Sequence, residues 1–102
     1  MYEVLLMITT ESNEKIANKI SRLLIEKKLA ACVSIKRIHS FYEWEDNIDE
    51  AEEFEIAIKS KPELKNDLIS YLQKMSSYEV PQIIFKKFQT EEKYHLWLTK
   101  TI

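Results

Sequence analysis

The chain has no glycine in 102 residues, where average usage would place about seven. Every glycine-rich phosphate loop is thereby excluded, since such loops need positions without a Cβ where backbone meets phosphate. Nucleotide enzymes built on those loops are set aside. There is one cysteine, Cys32, so no internal disulfide can form, which fits a reducing compartment. No apolar run approaches the roughly 18 residues of a membrane span. The start, Met1-Tyr2-Glu3, lacks the basic region of a signal peptide. A cytoplasmic protein without membrane contact is expected. The net charge of -2 offers nucleic acid no general attraction, so no nucleic-acid partner is expected either.

What is present is a soluble globular balance, 45% hydrophobic and 31% charged, in a length that suits a single domain over residues 1–102. Val4-Leu5-Leu6-Met7-Ile8 is a continuous apolar run, the pattern of a central strand covered on both faces. Ser12 is the expected N-cap of a helix whose apolar face is Ile16, Ile20, Leu23 and Leu24, ending near Lys28. From Ala30 to Trp44 the period becomes two, with Ala31, Val33 and Ile35 in one phase and Ile38, Ser40, Tyr42 and Trp44 in the other. The slip at Lys36-Arg37 predicts a β-bulge. Glu45-Asp46-Asn47 is the turn, with Asp46 or Asn47 left-handed in place of glycine. The return strand puts Phe54, Ile56 and Ile58 inward and Glu53, Glu55 and Lys59 outward. Ser60-Lys61-Pro62-Glu63 reads as a capping box opening a second helix with Leu64, Leu68, Leu72 and Met75 on its face. Pro81 opens a last strand through Ile83-Ile84-Phe85, and Glu91 to about Trp97 forms a short terminal helix.

The order is therefore βαββαβ with a tail. Right-handed crossovers favour an antiparallel sheet in strand order 4-1-3-2 with both main helices on one face, the α+β ferredoxin-like fold. The stretch Ala30–Trp44 would span about 50 Å at about 3.3 Å per residue, against a radius of gyration of about 13 Å for a domain of this length. The hairpin must bend or project, carrying Phe41, Tyr42 and Trp44 at its far end. Such an edge invites pairing with another chain, so an oligomer is expected.

Leu29-Ala30-Ala31-Cys32-Val33, Ser40-Phe41-Tyr42-Glu43-Trp44, Glu53, Lys59-Ser60, Tyr78-Glu79-Val80-Pro81 and Tyr94-His95-Leu96-Trp97 together resemble, in order and spacing, the signature of the CutA divalent-cation-tolerance family. The resemblance covers nearly the whole chain. It implies a ferredoxin-like homotrimer, similar to that of the PII signalling proteins, with hairpins paired across subunits and no established catalysis. By matching position, its inter-subunit clefts would be lined with Cys32, Tyr42, Trp44, Glu53, Lys59, Tyr78 and Pro81. Asp46 stands where the family usually has glycine, and Ser60 replaces threonine. Copper-linked members offer a cysteine at the end of the first strand and a His-His-Pro-Tyr segment. Here those places hold Ile8 or Thr9 and Met75-Ser76-Ser77-Tyr78, so that copper set does not carry over.

Residue by residue, Cys32 reads first as a small buried hydrophobe. His39, seven residues along the same strand, would lie about 23 Å away, too far to share a metal. Seven carboxylates fall between Glu45 and Glu55; that run reads as a solvated strand face able to hold copper or zinc weakly, without a defined cofactor site. Glu53 and Lys59, with Tyr42, Trp44 and Tyr78, could line an aromatic pocket for a small polar ligand, or form an interface ion pair. No arrangement of catalytic nucleophile and base is evident. The expectation is a non-enzymatic trimer tied to divalent-metal response, with a PII-like small-ligand sensor as the alternative and an unidentified protein partner left open.

Overall fold

The computed structural model describes residues 1–102. Its elements are β1 (Glu3–Glu11), α1 (Glu14–Glu26), β2 (Cys32–Trp44), β3 (Asn47–Ser60), a 3-10 turn (Pro62–Leu64), α2 (Lys65–Met75), β4 (Ile84–Gln89) and α3 (Glu92–Thr101). The strands form one sheet in order β2-β3-β1-β4, every neighbouring pair antiparallel. This is the ferredoxin-like arrangement that the sequence implies.

The alternating pattern explains the core. Leu5 and Met7 of β1 lie on the same side of the sheet as Phe54, Ile56 and Ile58 of β3. Ala17, Ile20 and Leu24 of α1 and Leu68 and Leu72 of α2 close over them. Each fully buried Leu or Ile of this set is worth about 1.5–3 kcal/mol over an exposed one. On the opposite side α3 covers only one corner, seating Leu98 against Val4 and Ala31. The α3 helix starts where Glu91 caps it through both carboxylate oxygens, accepting from the N–H groups of Lys93 and Tyr94, and it continues past Trp97 to Thr101.

Several local expectations are corrected. Asn13, not Ser12, caps α1, its Oδ1 accepting from the N–H groups of Lys15 at 2.8 Å and Ile16 at 3.2 Å. The capping box at Ser60 does not form: Ser60 ends β3, is fully buried, and donates its hydroxyl to the Leu29 carbonyl at 2.7 Å. Pro62 instead opens the 3-10 turn ahead of α2, and β4 begins at Ile84, three residues after Pro81. With no glycine available, the left-handed positions fall on Lys28 (φ 61°), Glu45 (φ 50°) and Asp46 (φ 66°). Asp46 is as expected; its partner is Glu45 rather than Asn47.

The bulge at Lys36-Arg37 is absent. Pairing of β2 with β3 runs unbroken from Cys32↔Lys59 to Trp44↔Asn47. The change of phase is a change of face. In the root half of β2, Val33 and Ile35 point to the helices; beyond Arg37, where no helix reaches, the apolar side chains Ile38, Tyr42 and Trp44 point to the other side. The hairpin projects, giving a molecule of 47 × 24 × 22 Å.

Candidate functional site

The projecting half of the hairpin makes one wall of a groove. Register places Tyr42 opposite Asp49 and Ile38 opposite Glu53, so Tyr42, Trp44, Asp49 and Glu53 share the face away from α1 and α2. The opposite wall is the connection from α2 to β4, which contributes Ser77, Tyr78, Glu79, Val80 and Gln82. Thr10, Ser40 and Phe41 complete a cavity of about 560 Å³.

Two carboxylates fix this second wall. Glu11, only 1% exposed, accepts from the Ser77 N–H at 3.1 Å and the Ser77 hydroxyl at 2.6 Å. Its buried charge is thus hydrogen-bonded, as a buried carboxylate requires. The next residue, Tyr78, donates its phenol to Glu53 Oε2 at 2.5 Å. Burial first, and then the Glu53 hydrogen bond and charge, hold the Tyr78 phenol far above its usual range. It therefore remains a donor throughout the physiological range. The chain from β1 through Ser77 and Tyr78 to β3 ties three elements together at the groove floor.

Within one chain, the seven residues expected to line the inter-subunit clefts fall into two groups. Tyr42, Trp44, Glu53 and Tyr78 meet in the groove. Pro81 lies between Val80 and Gln82, which line it. Cys32 and Lys59 face each other across β2 and β3 at the hairpin root, about 20 Å along the strand from Glu53. The pocket with one anion and one cation is therefore not made within a single chain. Around Cys32 the neighbour is Tyr94 of α3, whose phenol is raised by burial and then by the Cys32 sulfur. Glu11 and Ser77 were missed as site residues. The one available signal was the polar turn of β1 at Thr9-Thr10-Glu11, since Ser77 lies 66 residues away.

The other ionisable groups lie elsewhere. His39 pairs with Glu50 at 2.9 Å on the exposed hairpin, packing edge-on against Phe41. His95 of α3 lies beside Tyr2, with ring centroids 5.1 Å apart. No group of three or more His, Cys, Asp or Glu side chains is placed to hold a metal ion, and no helix is long and apolar enough to cross a membrane.

With this geometry in view, comparison with known proteins is decisive. The family profile described as CutA1 divalent ion tolerance protein matches residues 5–101. The chain belongs to the CutA1 family. The divalent-cation tolerance protein CutA of Archaeoglobus fulgidus is 38% identical over 96 residues, 93% of each chain. The solved structure from that organism, described as the periplasmic divalent cation tolerance protein CutA, superposes with a TM-score of 0.92 at 31% identity, covering 96% of this chain and 97% of its own. CutA of Synechococcus elongatus gives a TM-score of 0.94 at 29% identity, over 99% of this chain and 91% of that one. Mouse Protein CutA is 41% identical over 73 residues, which are 71% of this chain and 41% of the mouse protein. The chain thus matches about two fifths of that mammalian relative. The fold it shares with those structures is the ferredoxin-like one.

Proposed function

We propose that this CutA1-family chain works as a cytoplasmic, non-enzymatic homotrimer in divalent metal tolerance, with an unidentified protein as its downstream partner. One observation carries the assembly: the open face of the sheet is apolar and only partly covered. Leu98 shields Val4, but Leu6, Ile8 and Ile38 are half-buried there, while Ile84 and Phe88 on the same face are exposed. The central strand reads as apolar on both faces, yet one chain covers one of them. A second copy supplies the missing cover, and the projecting hairpins supply the reach.

The non-catalytic reading is supported by the placement of the reactive side chains. Cys32 sits at the hairpin root, His39 on its exposed outer part and His95 on α3, so no nucleophile meets a base. Copper or zinc would be held weakly, through the acidic hairpin carboxylates. The same charge repels nucleic acid. Half-buried Cys32, the lone thiol, suits a reducing cytoplasm; the word periplasmic belongs to the Archaeoglobus protein.

The groove favours a second reading, a PII-like sensor of a small ligand. Its volume of about 560 Å³ lies within the range of small-molecule sites. Native mass spectrometry of protein purified without chelator, followed by titration with Cu²⁺ and Zn²⁺, tests the main proposal. A trimer taking up metal without fixed stoichiometry is the expected result. One metal per subunit, saturable, would replace weak binding with a defined site. A monomer would overturn the assembly and the function built on it.

A further inference from the structure

We infer that Lys86 of β4 in one copy pairs with Glu53 of β3 in the next, a contact that no single chain can make. This rests on the trimer proposed above and adds a named charge pair to its subunit boundary. Register puts Lys86 on the open face of the sheet, in one row with Leu6 and Lys59. Ile84 and Phe88 flank it along β4 on the same face. Its ammonium lies over the Phe88 ring, 5.4 Å from the centroid. The ion pairs of the chain are Lys36–Glu55 and His39–Glu50, so Lys86 has no carboxylate partner. None stands on β4, and the next charge in its row, Lys59, is also a cation. A second copy that covers Ile84 and Phe88 covers Lys86 with them, and a covered ammonium needs a carboxylate beside it.

That carboxylate has to come from the open face of the other copy, where register places Asp49, Glu53 and Glu55. Glu55 already holds Lys36 at 3.5 Å, and Asp49 lies close to the hairpin turn. Glu53 is different. The Tyr78 phenol fixes it through a 2.5 Å hydrogen bond but brings no positive charge. The sheet edges show how the two residues meet. Only β2 and β4 are edge strands, and the outer half of β2 projects beyond the helices. The six residues of β4 match about half of the thirteen of β2. Adding that outer half to β4 of another copy continues the sheet and closes both edges. One strand then separates Lys86 from the partner β3, so the two backbones lie two strand spacings of about 4.8 Å apart. Lysine and glutamate side chains together span that gap. The arrangement is head-to-tail, the kind that closes into a ring.

Zero-length carbodiimide cross-linking of the assembled protein reads the pair directly. A covalent dimer carrying a Lys86–Glu53 link is the expected product. Within one chain the two residues lie about 20 Å apart along the sheet, beyond the reach of such a link. Association gives the second reading, by light scattering over a dilution series at fixed urea. Lys86→Glu should raise the dissociation constant of the trimer at least tenfold, since repulsion replaces attraction. Lys74→Glu makes the same change of charge on exposed α2 and should leave it unchanged. Adding Glu53→Lys to Lys86→Glu should recover most of the loss. Lys86 is exposed on an edge strand, so its variant keeps the fold even where Glu53→Lys does not. Equal dissociation of Lys86→Glu and Lys74→Glu, or links from Lys86 to Asp49 or Glu79 in place of Glu53, would overturn the inference and leave the trimer standing. A monomer throughout would remove both.

Discussion

Replacing Glu11 tests whether the groove wall is built from β1. Glu11→Ala deletes a buried carboxylate that accepts from the Ser77 N–H and hydroxyl. Two opposing terms set the result. Removing the charge recovers its desolvation cost. Against that, the Ser77 N–H loses its partner, and a hydrogen bond to a charged group contributes about 1.5–3 kcal/mol. Because the hydroxyl bond is short at 2.6 Å, the amide bond at 3.1 Å is its companion, and the carboxylate sits at the end of β1, the second term should win, for a net loss of about 2 kcal/mol. Glu11→Gln keeps one acceptor and can donate to the Ser77 oxygen, so about 1 kcal/mol is expected.

The assay is urea denaturation at one fixed protein concentration, since subunit association would couple stability to concentration. A double-mutant cycle with Ser77→Ala should return a coupling within about 0.5–3 kcal/mol, the range for contacting residues. Hydrogen exchange supplies the local readout: amides of residues 77–82 should lose protection in Glu11→Ala ahead of those in β3. A Glu11→Ala variant within about 0.5 kcal/mol of the parent, or more stable than it, would refute the account. The carboxylate would then be tolerated there rather than holding the wall.

Three further outcomes follow from the fold. Lys28→Gly should stabilise by about 0.5–1 kcal/mol, because a side chain at φ 61° costs about 1–2 kcal/mol and the entropic cost of glycine cancels about half; a lowered denaturation midpoint would exclude this. Leu98→Ala should cost about 2–5 kcal/mol and release α3 first, read as early loss of protection at residues 92–101, because Leu98 is the fully buried anchor of that helix. Burial leads the upward shift of the Tyr71, Tyr78 and Tyr94 phenols from 10.0. The folded state therefore keeps protons that the unfolded chain loses, and stability present below pH 10 falls as pH rises beyond it. Phenolate absorbance should show a late-rising fraction that shrinks in Tyr78→Phe; a single titration near the free value would refute it.

Legibility from sequence tracked the separation of the partners involved. Phe54, Ile56 and Ile58 were readable because strand alternation is a local property, and their inward face is the one observed. Ser12 and Asn13 are adjacent and equally able to cap, so the choice between them depended on backbone conformation. The misreading at Lys36-Arg37 has a deeper cause. A bulge and a switch of buried face leave the same trace along one strand, and only the register with β3 separates them. Glu53 and Lys59 share a face, as alternation implies; parity is silent on which residues of another copy would meet them. Glu11 was invisible because its partner Ser77 comes from the other end of the chain.

The switch of face in β2 ties assembly to binding. It moves Tyr42 and Trp44 onto the open side of the sheet, the side whose apolar cover a second copy would supply, and the same two rings line the groove. In the proposed trimer, the groove then lies at or beside a subunit boundary, and truncating a ring there touches both functions. Trp44 is 51% exposed in the single chain, so in Trp44→Ala the isolated fold has little to lose. Association should weaken instead, read as trimer dissociating at higher protein concentration in light scattering. Asp49→Asn removes charge from the groove without removing apolar area, so the trimer should persist. If Trp44→Ala leaves association untouched, the hairpin tip does not carry the subunit contact, and the cover for Leu6, Ile8 and Ile38 must come from contacts nearer the hairpin root.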